Sequence, residues 1–268
     1  MKMDKIKYST EFRNVLEFCK KEENRFYLGE GNPNAEILII GKECANCHSE
    51  ENSVERNLTS WDRLVQSNAQ IIPMKADTDC KIFESDNSLL PWRNQKFLIR
   101  KKGGAIGKDG TATTWYNYQK LIDFINGVKR TRVDNIDFHE YCFETELSQI
   151  PLSNSKLLTS DKEHLRKDGI ERRLILFRQE FFKKIKVIIM ACGNYPRDYG
   201  IDIQNVFNVE WVGKTNEMTK RGNWWNKHDG TSFGPRLLIH TRQFSNGITD
   251  ELIENIANEV RIFFEKIK

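Results

Sequence analysis

A three-layer α/β/α sandwich on a central, mostly parallel four-stranded sheet is predicted by the alternation of apolar strand-like runs with amphipathic helical stretches. The run Lys186-Val187-Ile188-Ile189-Met190-Ala191-Cys192-Gly193 is continuously apolar, as expected of a strand buried on both faces. Two further short runs, at 36–41 and 236–240, pass from apolar residues straight into polar ones. Helical periodicity fills the intervals, which is the pattern of strands joined by crossover helices.

The elements follow in order. Phe12, Val15, Leu16 and Cys19 fall at helical spacing behind Ser9 and Thr10, which can cap that helix. The strand at 36–41 comes next, and 53–66 forms a helix with Trp61, Leu64 and Val65 on its apolar face. Periodicity is poor from about 67 to 112, where Gly103, Gly104, Gly107 and Gly110 punctuate the chain. That segment lacks phosphate-loop spacing and no strand feeds it, so it is read as an insertion. Thr113 and Thr114 cap a helix with Trp115, Tyr118, Leu121, Ile122 and Ile125 on one face. A strand is expected at 137–146. Asp168 opens an amphipathic helix with Ile170, Leu174, Phe177 and Phe181 inward, leading into the strand at 186–193. Residues 206–212 add a further strand, 213–234 a second insertion, and 236–240 the last main strand. Thr249 caps the terminal helix, whose Leu252, Ile253, Ile256, Val260 and Phe263 face inward. Asp250 and Glu251 in its first turn and Lys266 near its end suit the helix dipole.

These elements make one domain over residues 1–268, long enough to bury a substantial core. Hydrophobic residues are 38% and charged residues 30%, which fits a folded, soluble chain rather than a disordered one. A net charge of +4 permits nucleic-acid binding without arguing for it. The cationic clusters Arg100-Lys101-Lys102, Lys129-Arg130-Thr131-Arg132 and Lys183-Lys184-Ile185-Lys186 read first as solvated faces. No run approaches membrane-spanning length and the amino terminus carries no export signal, so a cytoplasmic, monomeric protein with reduced thiols is expected. Cys44-Ala45-Asn46-Cys47-His48 has the spacing of a c-type haem attachment, but that chemistry accompanies export. A zinc site needs more ligands, with Cys80 the nearest candidate beyond His48, so no metal and no cofactor is assigned.

The chemistry is expected at the strand ends. With strands 36–41 and 236–240 as neighbours in a parallel sheet, Glu43 and His240 stand at one carboxyl edge, where open α/β sheets bind ligands. A carboxylate and an imidazole across a crevice form an acid/base or electrostatic pair.

Gly41-Lys42-Glu43-Cys44, with the lead-in Gly29-Glu30-Gly31-Asn32-Pro33-Asn34-Ala35, resembles the first motif of the uracil-DNA glycosylase superfamily (GQDPYH in one branch, GEAPG in another). His240-Thr241-Arg242-Gln243-Phe244-Ser245 resembles its last motif, HPSPLS. The segment 114–121 also looks like an early helix of such proteins, and the resemblance spans roughly residues 27–265 through short motifs separated by unmatched insertions. Iron–sulfur branches hold their cluster on four cysteines, a spacing this chain does not reproduce.

The resemblance implies a DNA glycosylase-like protein hydrolysing the N-glycosidic bond of a flipped modified or damaged base, acting on single- or double-stranded DNA or a nucleotide without a cofactor. Glu43 then stands as the carboxylate near the sugar and His240 as the donor near the departing base. Glu146, with Glu144 next, falls where the family places the base-reading asparagine; Gly41, Lys42 and Trp115 complete the base site. Arg242, Gln243 and Ser245 replace the stretch that pinches the nucleic-acid backbone, and Arg242 can hold a phosphate directly. An ionised glutamate only accepts hydrogen bonds, so plain uracil is expected to fit poorly and a base with an exocyclic amine better. The loop Gly222-Asn223-Trp224-Trp225-Asn226-Lys227-His228-Asp229-Gly230 pairs aromatics with cations and can touch a nucleic-acid strand, or serve as an interface or lid. The alternatives are a non-catalytic nucleic-acid or nucleotide-binding protein on the same fold, which the altered motifs favour, and a hydrolase of free nucleosides.

Overall fold

The computed structural model describes residues 6–43, 50–68, 87–91, 113–128, 136–150, 160–231, 234–245 and 247–268. Cys44, Cys47, His48, Cys80 and most of the 67–112 insertion lie outside these residues. The strands are β1 (Glu30–Gly31), β2 (Ile37–Glu43), β3 (Phe143–Ser148), β4 (Val187–Met190), β5 (Val209–Glu217), β6 (Trp224–Gly230) and β7 (Leu237–Thr241). The helices are α1 (Thr10–Lys20), α2 (Glu50–Gln66), α3 (Thr113–Ile125), α4 (Ser160–Phe177), α5 (Glu180–Lys183), α6 (Tyr195–Asp198), α7 (Ile203–Phe207) and α8 (Asp250–Lys266).

The chain is α/β as expected, but the sheet is mixed and has seven strands in the order β1-β3-β2-β4-β7-β6-β5, not four. Its centre, β3-β2-β4-β7, is parallel throughout. β1 on one flank and the β5–β6 hairpin on the other are antiparallel additions. Most of the 213–234 insertion is therefore sheet: it completes β5 and supplies β6.

A second correction concerns neighbours. β2 and β7 are not adjacent; β4 lies between them, with Ile40 opposite Met190 and Met190 opposite His240. Every residue of β4 is fully buried, so this strand needs a partner on both sides and helices on both faces. Their carboxyl ends still share one edge, separated by two strand spacings, about 10 Å.

Alternation along the strands sorts the core into two layers. Leu38, Ile40, Phe143, Leu147, Ile188, Met190 and Leu238 pack with residues of α1, α2, α4, α5 and α7. Ile37, Ile39, Val187, Ile189, Leu237 and Ile239 pack with α3 and α8. Ser9 caps α1 by accepting from the Phe12 amide (3.1 Å), and Thr249 caps α8 by accepting from Leu252 (3.4 Å).

α4 begins at Ser160 rather than Asp168, and Phe181 belongs to the separate α5. Its buried residues, among those described, are Arg166, Ile170, Arg173, Leu176 and Phe177. Two of these five are arginines, which hides the helix's first half from an apolar pattern. Arg173 is satisfied by Glu146 O (2.7 Å), Thr145 Oγ1 (2.7 Å) and Gln149 Oε1 (3.3 Å), and so bolts α4 to β3. The expected strands at 137–146 and 206–212 each begin later. Phe138–Glu140 form a 3₁₀ turn and Ile203–Phe207 a helix, ended by Asn208 in the left-handed conformation (φ 52°). Among the described residues no helix is long and apolar enough to cross a membrane.

Candidate functional site at the carboxyl edge of the parallel strands

Four parallel strands end on the same side, so the residues just beyond their apolar runs converge there. β2 contributes Gly41, Lys42 and Glu43; β3 contributes Glu146, opposite Gly41, and Ser148, opposite Glu43. β4 leads through Cys192 and Gly193 to Tyr195, and β7 contributes His240 and Thr241.

Glu43 is held from the α4 side. The Tyr195 hydroxyl donates to its Oε2, and Arg166 Nη1 donates to the Tyr195 oxygen at 2.7 Å. Arg166 Nη2 lies 4.0 Å from the same carboxylate oxygen. Burial raises the Tyr195 phenol, and the adjacent Glu43 charge raises it further, so the hydroxyl stays protonated and donates. Lys42 rests its ammonium 4.3 Å from the centre of the Tyr195 ring. Arg166 is completely buried, and its Nε and Nη2 make no hydrogen bond among the described residues. Glu43 Oε1 has no hydrogen bond to any described residue, which leaves one carboxylate oxygen for a water or a developing cation.

Glu146 occupies the space that Gly41 leaves open. A Cβ on Gly41 would stand 2.2 Å from Glu146 Oε2, so a side chain at 41 would push this carboxyl aside. Gly41 thus gives room for the carboxyl where it stands. Glu146 Oε2 is buried with no hydrogen-bond partner among the described residues. Burial raises the carboxyl well above the ordinary carboxylate range, and the neighbouring Glu144 and Glu43 charges act the same way. That direction favours the protonated form, in which the group offers an O–H donor beside a carbonyl acceptor.

Glu144 lies two residues further from the edge, opposite Ile39, and pairs with His139 Nε2 at 3.1 Å. Burial raises its carboxyl to about 8 and depresses the His139 imidazole to about 4. Glu30 stands opposite Glu144 on β1, and burial brings it up to about 7. Trp115 packs edge-on against His139 (5.4 Å) and Phe138 (6.1 Å), where it covers this pair. Glu144, with the partly buried Trp115 against its His139 partner, thus lies two residues further from the edge than Glu146.

His240 is committed to the scaffold. Its Nε2 donates to the Gly193 carbonyl at 2.7 Å, and Trp224 packs edge-on against the ring at 5.0 Å. Burial lowers its pKa, so the ring is neutral. The Gly193 amide in turn donates to Thr241 O (3.0 Å), which extends β4–β7 pairing past the ladder. Beyond β7, Asn117 of α3 donates to the carbonyls of Phe244 (3.0 Å) and Ser245 (3.3 Å) and so fixes the loop. Gln243 N lies 3.8 Å from where a Gly193 Cβ would be. The Arg242 guanidinium donates to Gly222 O at 3.1 Å across the hairpin turn.

Tyr195 and Arg166 join the site only in the folded chain. Tyr195 is reachable by the logic that singles out Glu43 and His240, because it follows the apolar run of β4 by a few residues. Arg166 has no such signal in a strongly charged segment. No protein-family model matches this chain, and no curated protein matches it.

Proposed function

We propose that the chain is a DNA glycosylase-like hydrolase that releases a flipped base at the carboxyl edge of β3, β2, β4 and β7. The observation that carries this reading is the meeting of two unlike carboxyl groups there. Glu43 is clamped by a tyrosine hydroxyl beside a buried arginine, whereas Glu146 is half-buried, its Oε2 finds no partner among the described residues, and burial favours its protonated form. Cleavage of an N-glycosidic bond develops positive charge on the sugar and negative charge on the base. Glu43 supplies a fixed carboxylate to stabilise the cation or orient water, through its open Oε1. Glu146 supplies a donor and an acceptor side by side, and a bound base satisfies its orphaned oxygen.

The neutral carboxyl changes the substrate class. Uracil is disfavoured only by an ionised Glu146, and an acid that donates as well as accepts has no such bias. The substrate is a flipped base with a donor next to an acceptor, whether a lactam or an amidine edge, with modified bases included. His240 positions Gly193 and the β4–β7 edge in this reading, since its Nε2 is already used.

The altered motifs favour a second reading, a nucleic-acid or nucleotide-binding protein that has lost the chemistry. Oligonucleotides carrying a panel of uracil, hypoxanthine and alkylated or oxidised bases separate the two, after incubation and cleavage at abasic sites. Base-dependent strand cleavage is the expected result. Tight binding without abasic product from any base would replace the first reading with the second.

A further inference from the structure

We propose that Tyr118 of α3 is a specificity-determining residue of the strand-edge site, its hydroxyl donating to the carbonyl of a bound base that lies furthest from the sugar. The inference rests on the reading of Glu146 as a base-binding group, and it narrows the substrate to bases with a lactam edge.

Strand alternation places Tyr118 over the two glutamates of β3. Glu144 lies opposite Ile39 and Glu146 opposite Gly41, so both project to the face on which Ile37 and Ile39 pack against α3. α3 is pinned over that face on both sides of Tyr118. Asn117 donates to the carbonyls of Phe244 (3.0 Å) and Ser245 (3.3 Å) beyond β7. Gln119 accepts from the amides of Asp137 (2.7 Å) and Phe138 (2.8 Å) ahead of β3. Between these anchors the Tyr118 ring packs on Phe138 and on Phe244, each at 5.7 Å, and the residue is 1% exposed.

The ring is core, but the hydroxyl has no role in that packing. It makes no hydrogen bond among the described residues. A buried tyrosine ordinarily finds a partner for its hydroxyl, and phenylalanine would fill the same space without leaving one unpaired. Burial raises the phenol well above its ordinary value, and the Glu144 and Glu146 charges act the same way, so the group stays protonated and donates. On the same face Glu146 Oε2 also lacks a partner among the described residues. Two unpaired polar groups under one helix suit the edge of a flat polar ligand.

Depth sets which atom is read. Glu43 stands outermost, on the sugar side, Glu146 faces the base, and Glu144 lies two residues further in. A donor over Glu144 and Glu146 meets the far side of the base, which is O4 of a pyrimidine or O6 of a purine. A lactam presents that acceptor with an N–H beside it for Glu146, whereas an amidine edge would turn an amine toward the Tyr118 donor. A site built around such a hydrogen bond rejects the analogue that lacks the group.

The test is fluorescence anisotropy of single-stranded oligonucleotides with one 2′-fluoro nucleotide, whose fluorine disfavours positive charge on the sugar and keeps the base attached. Uracil is compared with pyrimidin-2-one, and hypoxanthine with purine, in wild type and in Tyr118→Phe. Wild type is expected to prefer the oxo base of at least one pair by about tenfold or more. Tyr118→Phe should lower that preference about fivefold to tenfold and leave the affinity for the other base of the pair unchanged. Glu146 is common to both proteins, so its share cancels in the comparison. The free variant should melt at or above the wild-type temperature, because the hydroxyl it lacks is unpaired. An equal preference in wild type and variant would overturn the inference. So would a marked fall in melting temperature, which would give the hydroxyl a structural partner. Base release from the natural panel with equal preferences would strike Tyr118 alone. No release, with the preference lowered as stated, would strike base excision and leave Tyr118 standing.

Discussion

Glu43→Gln is expected to lower base release by about 10²-fold or more on whichever base the wild type excises, with little change in stability. The substitution removes the negative charge and keeps the shape, and the amide oxygen can still accept from the Tyr195 hydroxyl. Charge at this point is what the chemistry needs, because the sugar becomes cationic as the bond breaks. The carboxylate is also placed at little cost at the moment of reaction: Tyr195 fixes one oxygen, and Arg166, anchored in α4, fixes Tyr195. Single-turnover release in wild type and variant checks this, alongside urea denaturation of both. Wild-type release from Glu43→Gln would remove Glu43 from the chemistry. Loss of release together with a large loss of stability would make its role structural.

Glu146 makes the second large prediction. Glu146→Gln retains one donor and one acceptor in nearly the same volume, and release is expected to stay within about tenfold of wild type. Glu146→Leu removes both, and leaving a bound base's polar edge unpaired costs about 1–3 kcal/mol, or about 5–150-fold in release. The pH dependence gives a sharper sign. An acid whose carboxyl is raised by burial is neutral below that raised value and ionises only above it. Wild-type release should therefore decline as pH rises through it, while Glu146→Gln has no proton to lose there and should not share the decline. Identical pH profiles, or a Gln variant as impaired as the Leu variant, would mean that Glu146 does not read the base as a neutral acid.

How far the sequence announced this arrangement depends on which residues face inward. β2, β4 and β7 are legible because their apolar runs end abruptly in polar residues, and Gly41, Glu43 and His240 are found at those ends. The order of the strands is not legible, since nothing in the runs at 36–41 and 236–240 records that β4 lies between them. α4 is legible only in its second half, because Arg166 and Arg173 face the core and break the apolar stripe. β5 is legible only at its start, within the strand expected at 206–212, and β6 is not legible, for another reason. β5 is exposed along nearly all its length, with Trp211 49% and Val212 52% accessible, so it shows no alternation. The raised pKa of Glu146 is a property of packing alone. Only the fold reveals that Gly41 opens the space for its carboxyl and that no donor among the described residues reaches its Oε2.

The central claim is that a base binds at the carboxyl edge of the four parallel strands, and amide hydrogen exchange with and without an oligonucleotide tests it most directly. The strand used carries the base released fastest, in the Glu43→Gln variant so that the complex persists. Protection is expected at 41–43, 146–148, 192–195 and 240–245, the ends of β2, β3, β4 and β7. Protection confined to the surface groove lined by Glu163, His164, Lys167, Asp198 and Tyr199, or to the outer edge of β5, with those strand ends unchanged, would contradict it.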